Sequence, residues 1–141
     1  MKKFICLIFL TFIIACYCYS QNVELTVNIT NIAINGGKVY LAIFSNAESF
    51  KKEEPDFAFE LQDNNTQASY KVSIPPGEYV VFVFQDANKN EKMDSNFLGI
   101  PKELIGISNY SGKGLPSRNF NKQKIKIDNS TGLITLGLYR F

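Results

Sequence analysis

Apolar and polar residues alternate with a period of two through most of the chain. The segment VELTVNIT (23–30) places four aliphatic side chains on one face and four polar side chains on the other. Because successive side chains of a strand point to opposite faces of a sheet, this pattern predicts a half-buried strand. The same alternation occurs in FAFEL (57–61), QASYKVSI (67–74), QKIKID (123–128) and GLITLGLY (132–139).

Two further segments, KVYLAIF (38–44) and EYVVFVF (78–84), are apolar on both faces. Such strands need protein on each side, because large exposed apolar stripes are unusual on soluble proteins. Residues 86–121 lack a strand period, so we expect one long loop that covers the outer face of these two strands. Its apolar residues are Phe97, Leu98, Ile100, Leu104, Ile105, Ile107, Tyr110, Leu115 and Phe120.

Turn-forming residues separate the predicted strands. They are Asn35-Gly36-Gly37, Asp63-Asn64-Asn65, Pro75-Pro76-Gly77 and Asn129-Ser130-Thr131-Gly132. Connections of this length favour antiparallel neighbours. The pattern therefore predicts an all-β fold, an antiparallel Greek-key sandwich of about seven strands, in one domain over residues 21–141. Residues 45–54 are either one short helix or a charged loop.

The first residues have the order of a bacterial secretory signal. Lys2 and Lys3 precede an apolar run, and small residues follow it. We expect a signal peptide over residues 1–20, cleaved before Gln21, and an exported product that is periplasmic or extracellular. The alternative is a lipoprotein anchored at Cys16.

Composition removes several kinds of chemistry. The chain has no histidine, and its three cysteines all lie before residue 21, so the predicted mature domain has neither disulfides nor thiolate ligands. Lys2 and Lys3 account for the whole formal charge of +2. A mature domain that is neutral on average carries no electrostatic signature for nucleic acid or anionic lipid. We expect no transmembrane segment in the mature chain, and an extracytoplasmic ligand or protein as its partner.

Oxygen-bearing side chains follow the strand EYVVFVF at alternate positions, as in a calcium-binding loop. The candidate ligands for Ca²⁺ are Asp86, Asn88, Asn90, the carbonyl of Lys92, Asp94 and, if the chain folds back, Glu103. The usual glycine is replaced by Glu91, and the usual distal glutamate by Phe97. The alternative is an ion-free polar turn in which these side chains bond their own backbone.

The later part of the loop offers a candidate ligand surface. Arg118 is suited to a carboxylate or phosphate, and Tyr110 to stacking. The candidate ligand-binding residues are Ser108, Asn109, Tyr110 and Arg118. The alternative is that this segment only covers the sheet.

Catalytic motifs are missing from the sequence. No histidine is present to activate a serine, and there is neither a GxSxG elbow nor a phosphate-binding GxxxxGK loop. Paired carboxylates, Asp86 with Asp94 or Glu91 with Glu103, leave a small secreted hydrolase as the alternative function. The main prediction is a non-enzymatic module.

The order PPGEYVVFVFQDANKNEKMDSNFLGIPKELIGISN, followed by GLPSRNF and two final strands, resembles the secreted bacterial family called domain of unknown function 2141 (DUF2141). The departures are Gln85, where a histidine is common, and Glu91, where a glycine is common. The resemblance implies a transthyretin-like or carboxypeptidase-regulatory-like sandwich and leaves the biochemical role open. The predicted fold is accordingly a transthyretin-like or immunoglobulin-like sandwich. The matching residues are Pro76, Gly77, Tyr79, Asp86, Asn88, Asn90, Asp94, Asn96, Gly99, Pro101, Glu103, Gly106, Ser108 and Asn109.

Overall fold

The computed structural model describes residues 21–61, 65–110 and 112–141. The predicted signal peptide and most of the Asp63-Asn64-Asn65 turn lie outside these residues. The described elements are β1 (Val23–Thr30), β2 (Lys38–Phe44), α1 (Ala47–Lys52), β3 (Phe57–Leu61), β4 (Gln67–Ile74), β5 (Gly77–Asp86), β6 (Leu104–Ile107), α2 (Phe120–Gln123), β7 (Ile125–Ile127) and β8 (Leu133–Gly137).

The strands form two sheets around one main core. The first sheet has the order β4-β1-β8, and the second has the order β3-β2-β5-β6, with β7 also paired to β5. Fully buried aliphatic side chains from β1, such as Leu25, and from β2, such as Leu41, belong to the same apolar cluster. The predicted all-β sandwich is therefore confirmed.

The pairing corrects one part of the prediction. Strand β8 lies parallel to β1, with Thr26 opposite Leu133, whereas we expected antiparallel neighbours throughout. The Asn35-Gly36-Gly37 and Pro75-Pro76-Gly77 turns also pass from one sheet to the other instead of joining paired strands. Turn residues permit a sharp reversal of the chain, but they do not determine the sheet to which the next strand belongs.

The predicted strand-free loop over residues 86–121 contains strand β6, so that expectation is wrong in part. Residues 104–107 read LIGI, which is too short and too uniformly apolar to show an alternating pattern. The strand pairs with β5, and Ile105 exchanges two backbone hydrogen bonds with Tyr139, at 3.0 and 2.8 Å. A Cβ at Gly106 would lie 2.7 Å from the Gly137 carbonyl oxygen, so this close approach requires glycine.

A second apolar cluster covers the outer face of β2 and β5, as expected. Its buried members are Ala42, Phe44, Val80 and Ile107, with Phe50, Phe82, Tyr110 and Phe120 packed against them. Ile107, Tyr110 and Phe120 come from the predicted covering segment, while Phe50 comes from α1. Other members of that segment do not cover anything: Phe97, Leu98 and Leu115 are 95%, 68% and 53% exposed.

Two local features hold the framework of the second sheet. Asn46 caps α1, its side-chain oxygen accepting from the backbone N–H of Glu48 and Ser49. This resolves residues 45–54 in favour of a short helix. At the start of β5, the Tyr79 hydroxyl donates to the Pro75 carbonyl at 2.9 Å, as the turn sequence predicts.

Candidate functional site

The candidate calcium loop begins at a buried carboxylate. Asp86 is the last residue of β5 and is fully buried. Its two oxygens accept from the backbone N–H of Asn90 at 3.2 Å and of Glu91 at 2.8 Å. The carboxylate of Asp86 therefore holds the following turn closed from its inner side.

Two asparagines continue the turn and connect it to Asp94. The side-chain oxygens of Asn88 and Asn90 each accept from the backbone N–H two residues later, at 3.1 and 2.9 Å. These contacts are Asx turns. The side-chain nitrogens of both asparagines donate to one oxygen of Asp94, at 2.5 and 2.9 Å.

The missing glycine does not prevent this turn. Glu91 has a φ of 62° and Lys89 a φ of 63°, so both residues adopt the left-handed conformation that glycine favours. The backbone N–H of Glu91 bonds Asp86 in this conformation. The loop therefore has the sharp turn of a calcium loop without its usual glycine.

Glu103 folds back onto the loop from the start of β6. Its oxygens accept from the backbone N–H of Ala87 at 3.1 Å and of Asp94 at 3.4 Å, and its side chain is 4% exposed. The Lys102 N–H donates to the Asp94 carbonyl at 2.9 Å, which keeps the two arms of the loop together. Residues 86–94 and Glu103 form one hydrogen-bonded unit, which we call the loop base.

The loop base brings together the carboxylates of Asp86, Asp94 and Glu103, while Glu91 at its edge pairs with Lys38 at 4.0 Å. Within the described part of the chain, no lysine or arginine forms an ion pair with Asp86, Asp94 or Glu103. Burial raises the pKa of Glu103 above its ordinary value, and the charges of Asp86 and Asp94 add to this rise. Hydrogen bonds from the N–H groups of Asp94 and Ala87 oppose it.

The donor types suit a hard cation, while the orientation of the donors suits an ion-free turn. Carboxylate and amide oxygens are the ligands that Ca²⁺ prefers. However, Asn88 and Asn90 present their nitrogens to Asp94. The described contact of Lys92 is made by its N–H and not by the predicted carbonyl ligand. Among the residues that the structure describes, no three or more acidic, histidine or cysteine side chains are grouped as a metal site.

Two of the four predicted ligand-binding residues lie together at an open pocket. The pocket has a volume of about 290 Å³, and its lining includes Asn109, Tyr110, Thr135 and Tyr139. The Asn109 side chain donates to the Lys122 carbonyl at 2.8 Å. The Tyr110 hydroxyl donates to the Gly114 carbonyl at 2.6 Å, and the Tyr110 ring lies edge-on to Tyr139.

The other two predicted ligand-binding residues lie elsewhere. Ser108 is buried, and its hydroxyl donates to the Gln123 carbonyl at 2.7 Å while accepting from the Val81 N–H at 3.0 Å. Arg118 donates to the Gly99 carbonyl at 2.9 Å. The four residues therefore do not converge on one ligand position, and Ser108 has a structural role between β5 and α2.

The sequence interpretation missed the turn that follows the loop base. The Asn96 side-chain oxygen accepts from the N–H groups of Leu98 and Ile100, at 2.9 and 3.0 Å. Gly99, with a φ of 75°, donates to the Asn96 carbonyl. Asparagine followed three positions later by glycine is a turn signal in the sequence. We call residues 96–99 the loop tip.

Fold and site together define an all-β sandwich domain with a self-bonded acidic loop between two adjacent strands of one sheet. The chain belongs to the family described as "Uncharacterized protein conserved in bacteria (DUF2141)", whose profile matches residues 27–135. This match confirms the family resemblance seen in the sequence. Neither the comparison with curated proteins nor that with solved structures returned a match. Within the described residues, no helix has the length and apolar character needed to span a membrane.

Proposed function

We propose that the protein is an exported, non-enzymatic module that binds a ligand or partner through the face formed by residues 86–120, and that Ca²⁺ stabilises the loop base of this face. The observation that supports the proposal best is the convergence of Asp86, Asn88, Asn90, Asp94 and Glu103 into one unit. Two of these carboxylates, Asp86 and Glu103, are buried and form no ion pair with any basic residue that the structure describes. Buried charge of this kind is stabilised by a cation.

Calcium would enter a loop that is already folded. To present oxygen on the side that faces Asp94, the amides of Asn88 and Asn90 must rotate and give up the two Asx-turn hydrogen bonds to Asn90 and Lys92. Lys89 and Lys92 reduce the local negative potential, so we expect affinity in the weak extracellular class, about 10⁻⁴ to 10⁻³ M. Glu103 supplies a third carboxylate and favours the tighter end of that range.

The hydrolase alternative has weaker support. A raised pKa, as at Glu103, suits a general acid. However, Glu103 and Asp86 are buried, and both accept hydrogen bonds from the backbone of their own loop. A general acid must reach the substrate, and these carboxylates face inward. The accessible geometry therefore favours a binding module over paired-carboxylate hydrolysis.

Thermal unfolding of the purified protein in Ca²⁺, Mg²⁺ and chelator tests the calcium proposal. At ten times Kd, bound calcium adds about 1.4 kcal/mol, which corresponds to a rise of about 5 °C in Tm. Asp94→Asn keeps the shape of the side chain and should abolish this rise, as should Asp94→Ala. Asp128→Asn removes a carboxylate from a turn outside the loop base and should leave the rise intact. The calcium proposal fails if Ca²⁺ leaves Tm unchanged or raises that of Asp94→Asn equally.

A further inference from the structure

The loop tip presents two adjacent apolar side chains to solvent. Phe97 is 95% exposed and Leu98 is 68% exposed. Exposure of a phenylalanine and an adjacent leucine to water is unfavourable, and exposed apolar surface of this kind often marks an interaction site. We expected these residues to cover the sheet, and other side chains cover it instead.

Their exposure results from an ordered turn. Asn96 accepts from the N–H groups of Leu98 and Ile100, and its own N–H donates to the Ile100 carbonyl at 2.9 Å. Arg118 holds the Gly99 carbonyl from the neighbouring segment at 2.9 Å. The backbone of the tip is thus bonded on both sides, and the turn directs Phe97 and Leu98 outward.

The charged residues of the two segments that meet at the tip are all basic. Residues 95–102 and 112–118 contain Lys102, Lys113 and Arg118 and no acidic residue. All three basic residues are exposed, and Leu115, which lies between the latter two in sequence, is 53% exposed. The acidic residues on either side of the first segment, Asp94 and Glu103, are hydrogen-bonded within the loop base. We call the exposed apolar and basic residues of these two segments, which the hydrogen bond from Arg118 to the Gly99 carbonyl joins, the tip surface: Phe97, Leu98, Leu115, Lys102, Lys113 and Arg118.

We infer that the tip surface docks on an anionic phospholipid bilayer, with Phe97 and Leu98 inserted at the interface and the three basic residues near the headgroups. This inference deepens the proposed function, because it assigns a partner to the 86–120 face. Apolar side chains flanked by lysine and arginine are the composition of interfacial membrane anchors. The neutral average charge of the domain does not exclude such a local patch, because composition averages over the whole chain.

The shape of the surface favours a bilayer over a protein. A specific protein interface buries about 800 Å² on each partner, over a broad complementary area. Here the two most exposed apolar side chains are neighbours in one hydrogen-bonded turn, which suits insertion into a fluid interface. Binding through two apolar side chains and a few cations should be weak, reversible and sensitive to salt.

Co-sedimentation of the purified protein with phosphatidylcholine vesicles, with and without phosphatidylglycerol, tests the inference. We expect binding to the anionic vesicles that high salt reverses. The double variant Phe97→Ser/Leu98→Ser should weaken binding by about tenfold or more, since each buried apolar side chain stabilises the bound state. The control Ile34→Ser/Leu133→Ser removes two apolar side chains that are exposed elsewhere, at 62% and 56%, and should bind like the wild type.

Reversing the charge of the lysines provides an independent test of vesicle binding. Lys102→Glu/Lys113→Glu should also reduce binding by about tenfold or more. The matched control Lys51→Glu/Lys71→Glu makes the same change in net charge at two exposed lysines, on α1 and β4. It should reduce binding less than Lys102→Glu/Lys113→Glu does. Circular dichroism of every variant verifies that it is folded.

Absence of vesicle binding, or equal binding by the tip variant, would overturn the inference. So would a protein partner in an envelope extract that the wild type captures and the tip variant loses while neither binds vesicles. That last outcome leaves the proposed binding face intact and replaces only the bilayer. The calcium proposal is judged separately, because its measurement is the Ca²⁺-dependent Tm in the absence of lipid.

Discussion

The loop base and the loop tip are adjacent in sequence, and both are built from asparagine-centred turns. The base nevertheless buries carboxylates, whereas the tip exposes apolar side chains. In the base, side-chain oxygens bind backbone N–H groups and draw Asp86 and Glu103 into the protein. In the tip, Asn96 makes the same kind of bond to the N–H of Leu98, and Phe97 and Leu98 are apolar and exposed. The same kind of side-chain to backbone hydrogen bond thus accompanies buried carboxylates in the base and exposed apolar side chains in the tip.

The largest effect should come from disturbing the packing under the base. A Cβ at Gly37 would lie 1.8 Å from the Asp86 carbonyl oxygen, and the φ of Gly37 is 94°. Gly37→Ala should therefore cost more than about 3 kcal/mol, measured by urea unfolding. Gly112→Ala, near the tip surface, has a φ of 77° with nothing nearby and should cost only about 1 kcal/mol. Equal losses in the free energy of unfolding would show that the close contact with Asp86 adds nothing to the cost of Gly37→Ala.

Removing the distal carboxylate of the base should have the next largest effect. Glu103→Ala leaves the N–H groups of Ala87 and Asp94 without their acceptor, at a cost of about 1–3 kcal/mol. Glu48→Ala, which removes an exposed helix carboxylate, is the control and should change the free energy of unfolding little. Similar values for the two variants would mean that Glu103 does not hold the loop.

The pH dependence of stability should also identify Glu103. Its pKa is raised above the ordinary 4.5, so the folded protein binds this proton more tightly than the unfolded chain does. The stability that comes from its protonation is complete below pH 4.5 and is lost as pH rises through the raised pKa. Glu103→Gln cannot ionise, so the wild type should lose stability relative to this variant between pH 4.5 and neutrality.

Other carboxylates do not obscure this comparison. The Ser45 N–H lowers the pKa of Asp56, and the Ser130 hydroxyl lowers that of Asp128. Both shifts stabilise the folded state as pH rises, whereas the raised pKa of Glu103 destabilises it. Both shifts are also present in the wild type and in Glu103→Gln alike. A stability difference that does not vary with pH would contradict the account of Glu103.

The smallest effect on stability should come from the tip. Phe97→Ser/Leu98→Ser removes apolar atoms that contact little, so the free energy of unfolding should change by no more than about 0.5 kcal/mol. Urea unfolding beside Gly37→Ala provides the measurement. A large loss would mean that the tip supports the fold, and it would also make this variant unsuitable for the vesicle experiment.

Much of the sandwich could be predicted because its strands have long alternating or doubly apolar patterns. Strand β6 could not, since four residues around Gly106 give no period. The parallel pairing of β1 with β8 depends on which sheet each strand joins, and local sequence does not encode that choice.

The candidate site, too, could be predicted only in part. Alternate oxygen-bearing residues predicted the loop from Asp86 to Asp94, and the return of Glu103 fulfils the condition set for its inclusion. The exposure of Phe97 was not predictable from its apolar character, because the outer sheet face is covered by Phe50 and Phe120 instead. The positive φ of Glu91 was indicated only by its place in the motif, where glycine is usual, because a glutamate by itself gives no sign of it.

The contrast between base and tip depends on the proposal that Ca²⁺ binds the loop base and not the tip. A ¹H–¹⁵N NMR titration of the protein with Ca²⁺ tests this proposal residue by residue. We predict saturable shifts concentrated at the amides that bond the carboxylates, those of Ala87, Asn90, Glu91 and Asp94, with little change at Phe97. Shifts that do not saturate, or that are spread equally over exposed acidic residues such as Asp128, would contradict it.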